Sequence, residues 1–375
     1  MAQPEKITYR LPQFDWMRGL ACLFMFERHC YDSWLLPSAR GTAFYHWSEL
    51  IASMAAPSFL FLAGLSTVLI VKKSSEDGQV PRKAGTRIFR RGAEILGLAL
   101  IFRIVDLGLW LPNPTTPNWW TDLMRVDVLN VIGISLMMVG ALCWLIPSQT
   151  RAAWAAALAG AAIVITTPLV WSVWRPSFLP WPVESYFDGV HNTGTPQAYL
   201  FPIFPWAGFT FAGVVAGYLL LSAWARRNDR SLIWIIAAAG AAVALLGRVL
   251  DHLPVQLYRY YDFWHSSPNY FMIRVGILLM ILSLCYLRCR FGENGLKKSP
   301  LITLGQNSLM VYWVHIEFVY GRFCILKRQG MGILGASLGL IGIAVAMYLL
   351  ALFYGRWELA KKAKIKAMNP QTVPA

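Results

Sequence analysis

Ser48–Val71 reads SELIASMAAPSFLFLAGLSTVLIV, and Lys72–Arg91 follows it directly with KKSSEDGQVPRKAGTRIFRR. The first stretch carries one charged residue, Glu49, over a length that crosses ~30 Å of hydrocarbon as a helix. The second holds Lys72, Lys73, Arg82, Lys83, Arg87, Arg90 and Arg91. Lysine and arginine are retained on the cytoplasmic side of short loops, so this pair of stretches reads as a transmembrane helix ending at the cytoplasmic face.

The pattern repeats along all 375 residues, which are 57% hydrophobic and only 14% charged, with a mean hydropathy of +0.47. An ordinary soluble domain is roughly a quarter charged. Spans are expected near 14–35, 48–71, 88–111, 122–146, 151–174, 199–224, 231–253, 267–288, 300–325 and 333–356. This predicts an all-α, polytopic membrane helix bundle of about ten transmembrane helices. It forms one domain over 1–375, with a basic tail at 357–375. An even number of spans with both termini cytoplasmic puts Arg226/Arg227/Arg230, Arg288/Arg290/Lys297/Lys298 and Lys361–Lys366 inside as well. The opposite loops carry only Arg40, Arg175, Arg259, Lys327 and Arg328.

Met1–Pro12 is polar and lacks a cleavage pattern, so the first span is expected to insert without being removed. The net charge of +15 sits in inter-span loops and reads as a topology signal, which argues against nucleic-acid binding. Cys22, Cys30, Cys143, Cys285, Cys289 and Cys324 form no CxxC, and neither a disulfide framework nor a metal site is indicated. No inverted repeat of the transporter kind is visible. The outer loops Leu111–Trp120 and Arg175–Tyr199 are rich in Pro, Trp, Asn and Gly, a composition that suits an opening at the interface.

In this topology all six histidines, His29, His46, His191, His252, His265 and His315, fall in the outer half. Histidine is the commonest general acid or base. His191 and His252 read as solvated loop residues. His29 and His315 lie within spans, where polar groups are costly and tend to be functional. On the first span Asp15 and Arg18 are spaced to pair, and Arg18 and His29 share a face ~16 Å apart along the axis. Arg28 with Asp32, and His29 with Asp32, put a carboxylate within reach of a base that it would orient. The alternative is an ion network that only fixes helix packing.

On the ninth span Tyr312 and His315 share one face, and Trp313, Glu317 and Tyr320 the adjoining one. Gln306, Asn307 and Ser308 lie nearer the cytoplasm, where they suit a polar channel. The fourth span adds Arg125, Asp127 and Asn130, the last two on one face, and Arg274 enters the eighth. Several helices thus bring polar groups to one depth.

Arg10…Asp15-Trp-Met-Arg18-Gly19…His29, followed by Pro57-Ser-Phe-Leu-Phe-Leu-Ala-Gly64-Leu-Ser66, resembles the opening of the membrane acyltransferases. Together with Arg125-Val-Asp-Val-Leu-Asn-Val-Ile-Gly133, Phe204-Pro-Trp-Ala-Gly208 and Tyr312-Trp-Val-His-Ile-Glu317, it is similar to the bacterial heparan-α-glucosaminide N-acetyltransferase-like family. That family is related to the type-3 membrane acyltransferases, in which an arginine and a histidine separated by ten residues look essential. Arg18 and His29 have that spacing. In the animal glucosaminide enzyme the position of His29 is an asparagine and the active histidine lies in the next loop, for which His46 is the nearest candidate.

The resemblance implies transfer of an acyl group, expected to be acetyl, from cytoplasmic acetyl-CoA to a hydroxyl or amine outside, with no metal. The candidate catalytic residues are His29, His46, Asp32, His315 and Glu317. Coenzyme A is polyanionic, and Arg18, Asp15, Arg87, Arg90, Arg91 and Asn307 are its candidate contacts. Arg28, Arg125, Asp127, Asn130, Trp206, Tyr312 and His265 are candidates for the acceptor, with carbohydrate favoured by the aromatic outer loops. The implied setting is a bacterial cytoplasmic (inner) membrane, among its lipids, with the site facing outward and homo-oligomerisation left open. A transporter or flippase with a polar midplane site is the alternative, and a scaffold is a third reading.

Overall fold

The computed structural model describes residues 11–75, 78–105, 124–174, 176–188, 201–254, 257–259, 261–291, 299–321 and 323–368. His191, the Leu111–Trp120 loop, most of 175–199, Lys297 and Lys298 lie outside these residues. The described residues form helices, with two isolated β-bridges and no strand. In chain order the helices are α1 (Pro12–Trp34), α2 (Ala43–Ala52), α3 (Ala55–Ser74), α4 (Arg82–Ile104), α5 (Val128–Leu145), α6 (Gln149–Val173) and the single turn α7 (Trp181–Glu184). They continue with α8 (Ile203–Leu220), α9 (Ala223–Arg227), α10 (Asp229–Asp251), α11 (Pro268–Phe291), α12 (Pro300–Gln306), α13 (Ser308–Val319) and α14 (Ile333–Met368).

Seven stretches are long and apolar enough to cross a membrane: Ala43–Ser74, Val128–Leu145, Gln149–Val173, Ile203–Leu220, Arg230–Asp251, Pro268–Cys289 and Ile333–Lys361. The protein is therefore a polytopic all-α membrane bundle. The other three expected spans correspond to α1, α4 and the pair α12–α13. α1 and α4 have 23 residues each, ~35 Å of helix, but carry charges along their length.

Two expected spans are broken. The apolar run around 48–71 turns at Ser53-Met54, where the Ser53 hydroxyl donates to the Leu50 carbonyl (2.7 Å) and α2 ends before α3 begins. The ninth span breaks at Asn307, which ends α12 and precedes α13. Its side-chain amide donates to the Thr303 carbonyl at 2.9 Å and to the Ala351 carbonyl at 3.5 Å. Asparagine competes for backbone hydrogen bonds in this way, and hydropathy does not register it.

The chain divides into two compact units, Ala56–Leu284 and Leu11–Ala55 with Cys285–Ala375. In the first, glycines let helices touch backbone to backbone. A methyl at Gly64 would lie 1.9 Å from the Thr210 carbonyl oxygen, and one at Gly213 1.9 Å from that of Phe61, so α3 and α8 are in direct contact. Gly92 and Gly133 do the same for α4 and α5, and Gly240 and Gly276 for α10 and α11. Lipid offers no hydrophobic drive for helix association, and close packing of small residues replaces it. Val71, Ile88, Val139, Phe211 and Val214 fill the core between these contacts.

In the second unit α1 crosses α12 at Gly19 and Gly305. Added methyls would lie 1.9 Å from the carbonyl oxygens of Leu301 and Asp15 respectively. At the far end of α1 the segment after α13 is pinned by three backbone bonds: Gln329 to Ser33 (2.8 Å), Met331 to Trp34 and Leu36 to Met331 (both 2.9 Å). Tyr31 meets Ser337 of α14 at 2.8 Å. α1 is thus fixed at both ends, which sets the position of the charged residues along it.

Candidate active site

His29 lies on the last two turns of α1, and its Nδ1 is 2.8 Å from Nε2 of His315 on α13. The rings are nearly coplanar, with 4° between their planes. His315 is wholly buried and His29 half-buried. Nδ1 of His315 sits 3.0 Å from the Val311 carbonyl oxygen, one helical turn earlier. A carbonyl only accepts, so this nitrogen carries a hydrogen. In the neutral ring Nε2 is then a bare acceptor and takes the Nδ1 hydrogen of His29. The remaining nitrogen, His29 Nε2, keeps its lone pair, with no hydrogen-bond partner among the described residues. Phe26 and Tyr312 flank His315 at 5.1 and 5.8 Å between ring centroids, and Tyr320 lies edge-on to His29 at 5.6 Å.

Asp32, the carboxylate expected beside His29, accepts the Tyr320 hydroxyl hydrogen at 2.8 Å. Arg28 has Asp32 close enough to feel its charge, and its hydrogen-bonded ion pair is with Glu49 of α2 at 2.5 Å, beside a bond from the Ser48 hydroxyl to Glu27 (2.5 Å). Spacing along one helix names neighbours within it, whereas each of these groups finds its partner on another element. His46 is exposed on α2 against Trp47, with 5.9 Å between ring centroids. Glu317 lies against Gly321, at the end of α13.

At the other end of α1 the Asp15–Arg18 pair forms as expected, at 3.0 Å. The second oxygen of Asp15 accepts from the Gln306 amide at 3.2 Å, so the carboxylate joins α1 to α12. The Arg18 side chain keeps 25% exposure, eleven residues or ~16 Å of helix from His29. Gln306 and Asn307, expected along a channel, are taken up by Asp15 and by the helix break.

The remaining candidates belong to the first unit. Asp127 and Asn130 come together as their spacing implies, but at the helix end rather than within it, because α5 begins only at Val128. Asp127 caps it, and the two residues form a reciprocal capping box. The second Asp127 oxygen holds Arg103 at 2.6 Å, and the Asn130 amide donates to the Tyr186 hydroxyl at 3.0 Å. Arg125 stands two residues before the cap. Arg274 lies over the Tyr270 ring (4.2 Å) and 5.8 Å from that of Trp206. His265 is exposed and paired with Asp262 at 2.7 Å. Nearby, burial and then the Asp251 carboxylate raise the Tyr261 phenol above its ordinary value. Arg87, Arg90 and Arg91 are exposed on α4, the last two near Glu94.

Glu184 and Asp188, four residues apart after a Trp-rich stretch, are both fully buried.

A family model described as heparan-alpha-glucosaminide N-acetyltransferase, catalytic, matches residues 10–253, and the chain belongs to this family. No curated protein matches it. The matched stretch contains Arg18, His29 and His46 and ends before α13.

Proposed function

We propose that this membrane acetyltransferase moves the acetyl group of cytoplasmic acetyl-CoA to an amine or hydroxyl of a glucosamine-like acceptor outside, with His29 as general base. The free lone pair of His29 Nε2, enforced by His315 and the Val311 carbonyl, carries this reading. The acceptor N–H or O–H gives its proton to Nε2 as the heteroatom attacks the thioester carbonyl. The carbon–sulfur bond then breaks. The departing thiolate takes the same proton, leaving free coenzyme A, acetylated acceptor and neutral His29. While His29 is protonated, its Nδ1 hydrogen faces a bare nitrogen on His315. The positive charge is thereby shared across two rings in a site where a lone cation is costly.

The residues present suit the donor. Arg18 keeps an exposed edge at a distance from His29 of the order of a pantetheine arm. Asp15 and Gln306 fix Arg18 in place.

Purified protein in lipid nanodiscs, given labelled acetyl-CoA and glucosamine, is expected to transfer label. His29→Gln should lose ~10²–10⁴-fold in kcat, the range for a general base, with an unchanged melting temperature. Full turnover in His29→Gln together with a dead His46→Gln would move the base to α2. Absence of any acetyl transfer, with uptake of glucosamine into sealed vesicles, would make the protein a transporter.

A further inference from the structure

An apolar furrow of about 740 Å³ runs through the first unit, walled by α6, α8, α10 and α11. Small residues, among them Ala156, Gly160, Ala212 and Ala216, line it, so its space comes from missing side-chain volume. Along α8 the lining extends from Gly208 to Leu220, ~18 Å by helix rise and about the depth of one leaflet of the ~30 Å hydrocarbon layer. Ser222 supplies the only hydroxyl among the lining residues described. A sugar or a nucleotide needs convergent polar groups and would find none here. Water would find the Ser222 hydroxyl and little else, short of the two to four partners that hold a buried water.

One end of the furrow differs. Trp224 lines it and is half exposed, and Leu232 lines it from the start of α10. Between them the chain carries the exposed Arg227 and Arg230. Tryptophan settles at the membrane interface, and clustered arginines beside it attract anionic headgroups.

We infer that the furrow holds a hydrocarbon chain of an anionic phospholipid, with its phosphate at Arg227 and Arg230. The apolar walls take the chain, the leaflet-length run sets its depth, and the cationic end selects the headgroup. This site is separate from the histidine pair and does not rest on acetyl transfer.

The test uses the full-length protein in nanodiscs of phosphatidylglycerol or phosphatidylcholine, each doped with the same lipid bearing a diazirine at its chain end. After illumination, adducts are mapped by mass spectrometry. Adducts are expected to concentrate at furrow residues such as Ala212, Ala216 and Ile236 with phosphatidylglycerol, and to fall in phosphatidylcholine. Ala212→Phe should remove them while leaving those at the exposed Leu245 and Leu246. Arg227→Gln with Arg230→Gln leaves the furrow intact and should abolish the preference between lipids, which decides the matter if Ala212→Phe does not fold. Equal labelling of the furrow and of Leu245 and Leu246 in both lipids would overturn the inference. So would disulfide linkage of two copies through Ala216→Cys, which would make a second copy the occupant.

Discussion

At the scale of single residues, the activity turns on which nitrogen of His29 is free. His315 fixes this only while its own Nδ1 hydrogen stays on the Val311 carbonyl. His315→Gln can still accept the His29 Nδ1 hydrogen through its amide oxygen, but it cannot share the proton. His315→Leu does neither. Steady-state kinetics should therefore rank wild type above His315→Gln and His315→Leu lowest, within the ~10²–10⁴-fold span of general-base catalysis. Equal loss in both variants, tracking a fall in melting temperature, would reduce His315 to a packing residue. At the other end of the helix, Arg18→Gln should raise KM for acetyl-CoA more than it lowers kcat, as measured by initial rates over a donor titration. Both histidines and Arg18 could be picked out from the sequence, because charged and titratable residues inside apolar spans are conspicuous. The Asp15–Arg18 pair was legible too, from its i,i+3 spacing, but the pairing of the two histidines was not. His29 and His315 lie 286 positions apart, and no local spacing relates them.

At the scale of elements, hydropathy located the helices and missed their interruptions. Ser53-Met54 and Asn307 sit in otherwise apolar runs, and the breaks come from side-chain bonds to backbone carbonyls. The start of α5 was misplaced for a similar reason, since Asp127 reads as a helical residue until its capping role is seen. The crossing of α1 and α12 is the element-scale feature most exposed to mutation. Gly19→Ala puts a methyl against the Leu301 backbone, which cannot rotate away as a side chain can. Overpacking of this kind costs about 1–3 kcal/mol, and more where backbone must move. A lower melting temperature is expected in nanodiscs, with kcat falling because α12 carries α13 and His315. Unchanged stability would mean that the two helices separate readily.

At the scale of the whole molecule, the family match and the candidate site do not coincide. The match covers 10–253, whereas half of the histidine pair, the brace on Asp15 and the backbone clasp on α1 come from beyond residue 299. A chain ending after residue 253 is expected to insert and yet show no acetyl transfer, with co-expression of 254–375 as the check for rescue. Activity in the short form alone would place the base elsewhere, with His46 first in line. The pairing of His29 with His315 also sets a schedule. Ribosomes add ~5–20 residues each second, so α1 spends on the order of a quarter to a full minute in the membrane before α13 is made. During that interval His29, Asp15 and Asp32 lack the contacts with His315, Gln306 and Tyr320 that the finished protein gives them. The first helix is thus the one most in need of shelter by the insertion machinery, and slowing synthesis between residues 34 and 308 should increase its degradation.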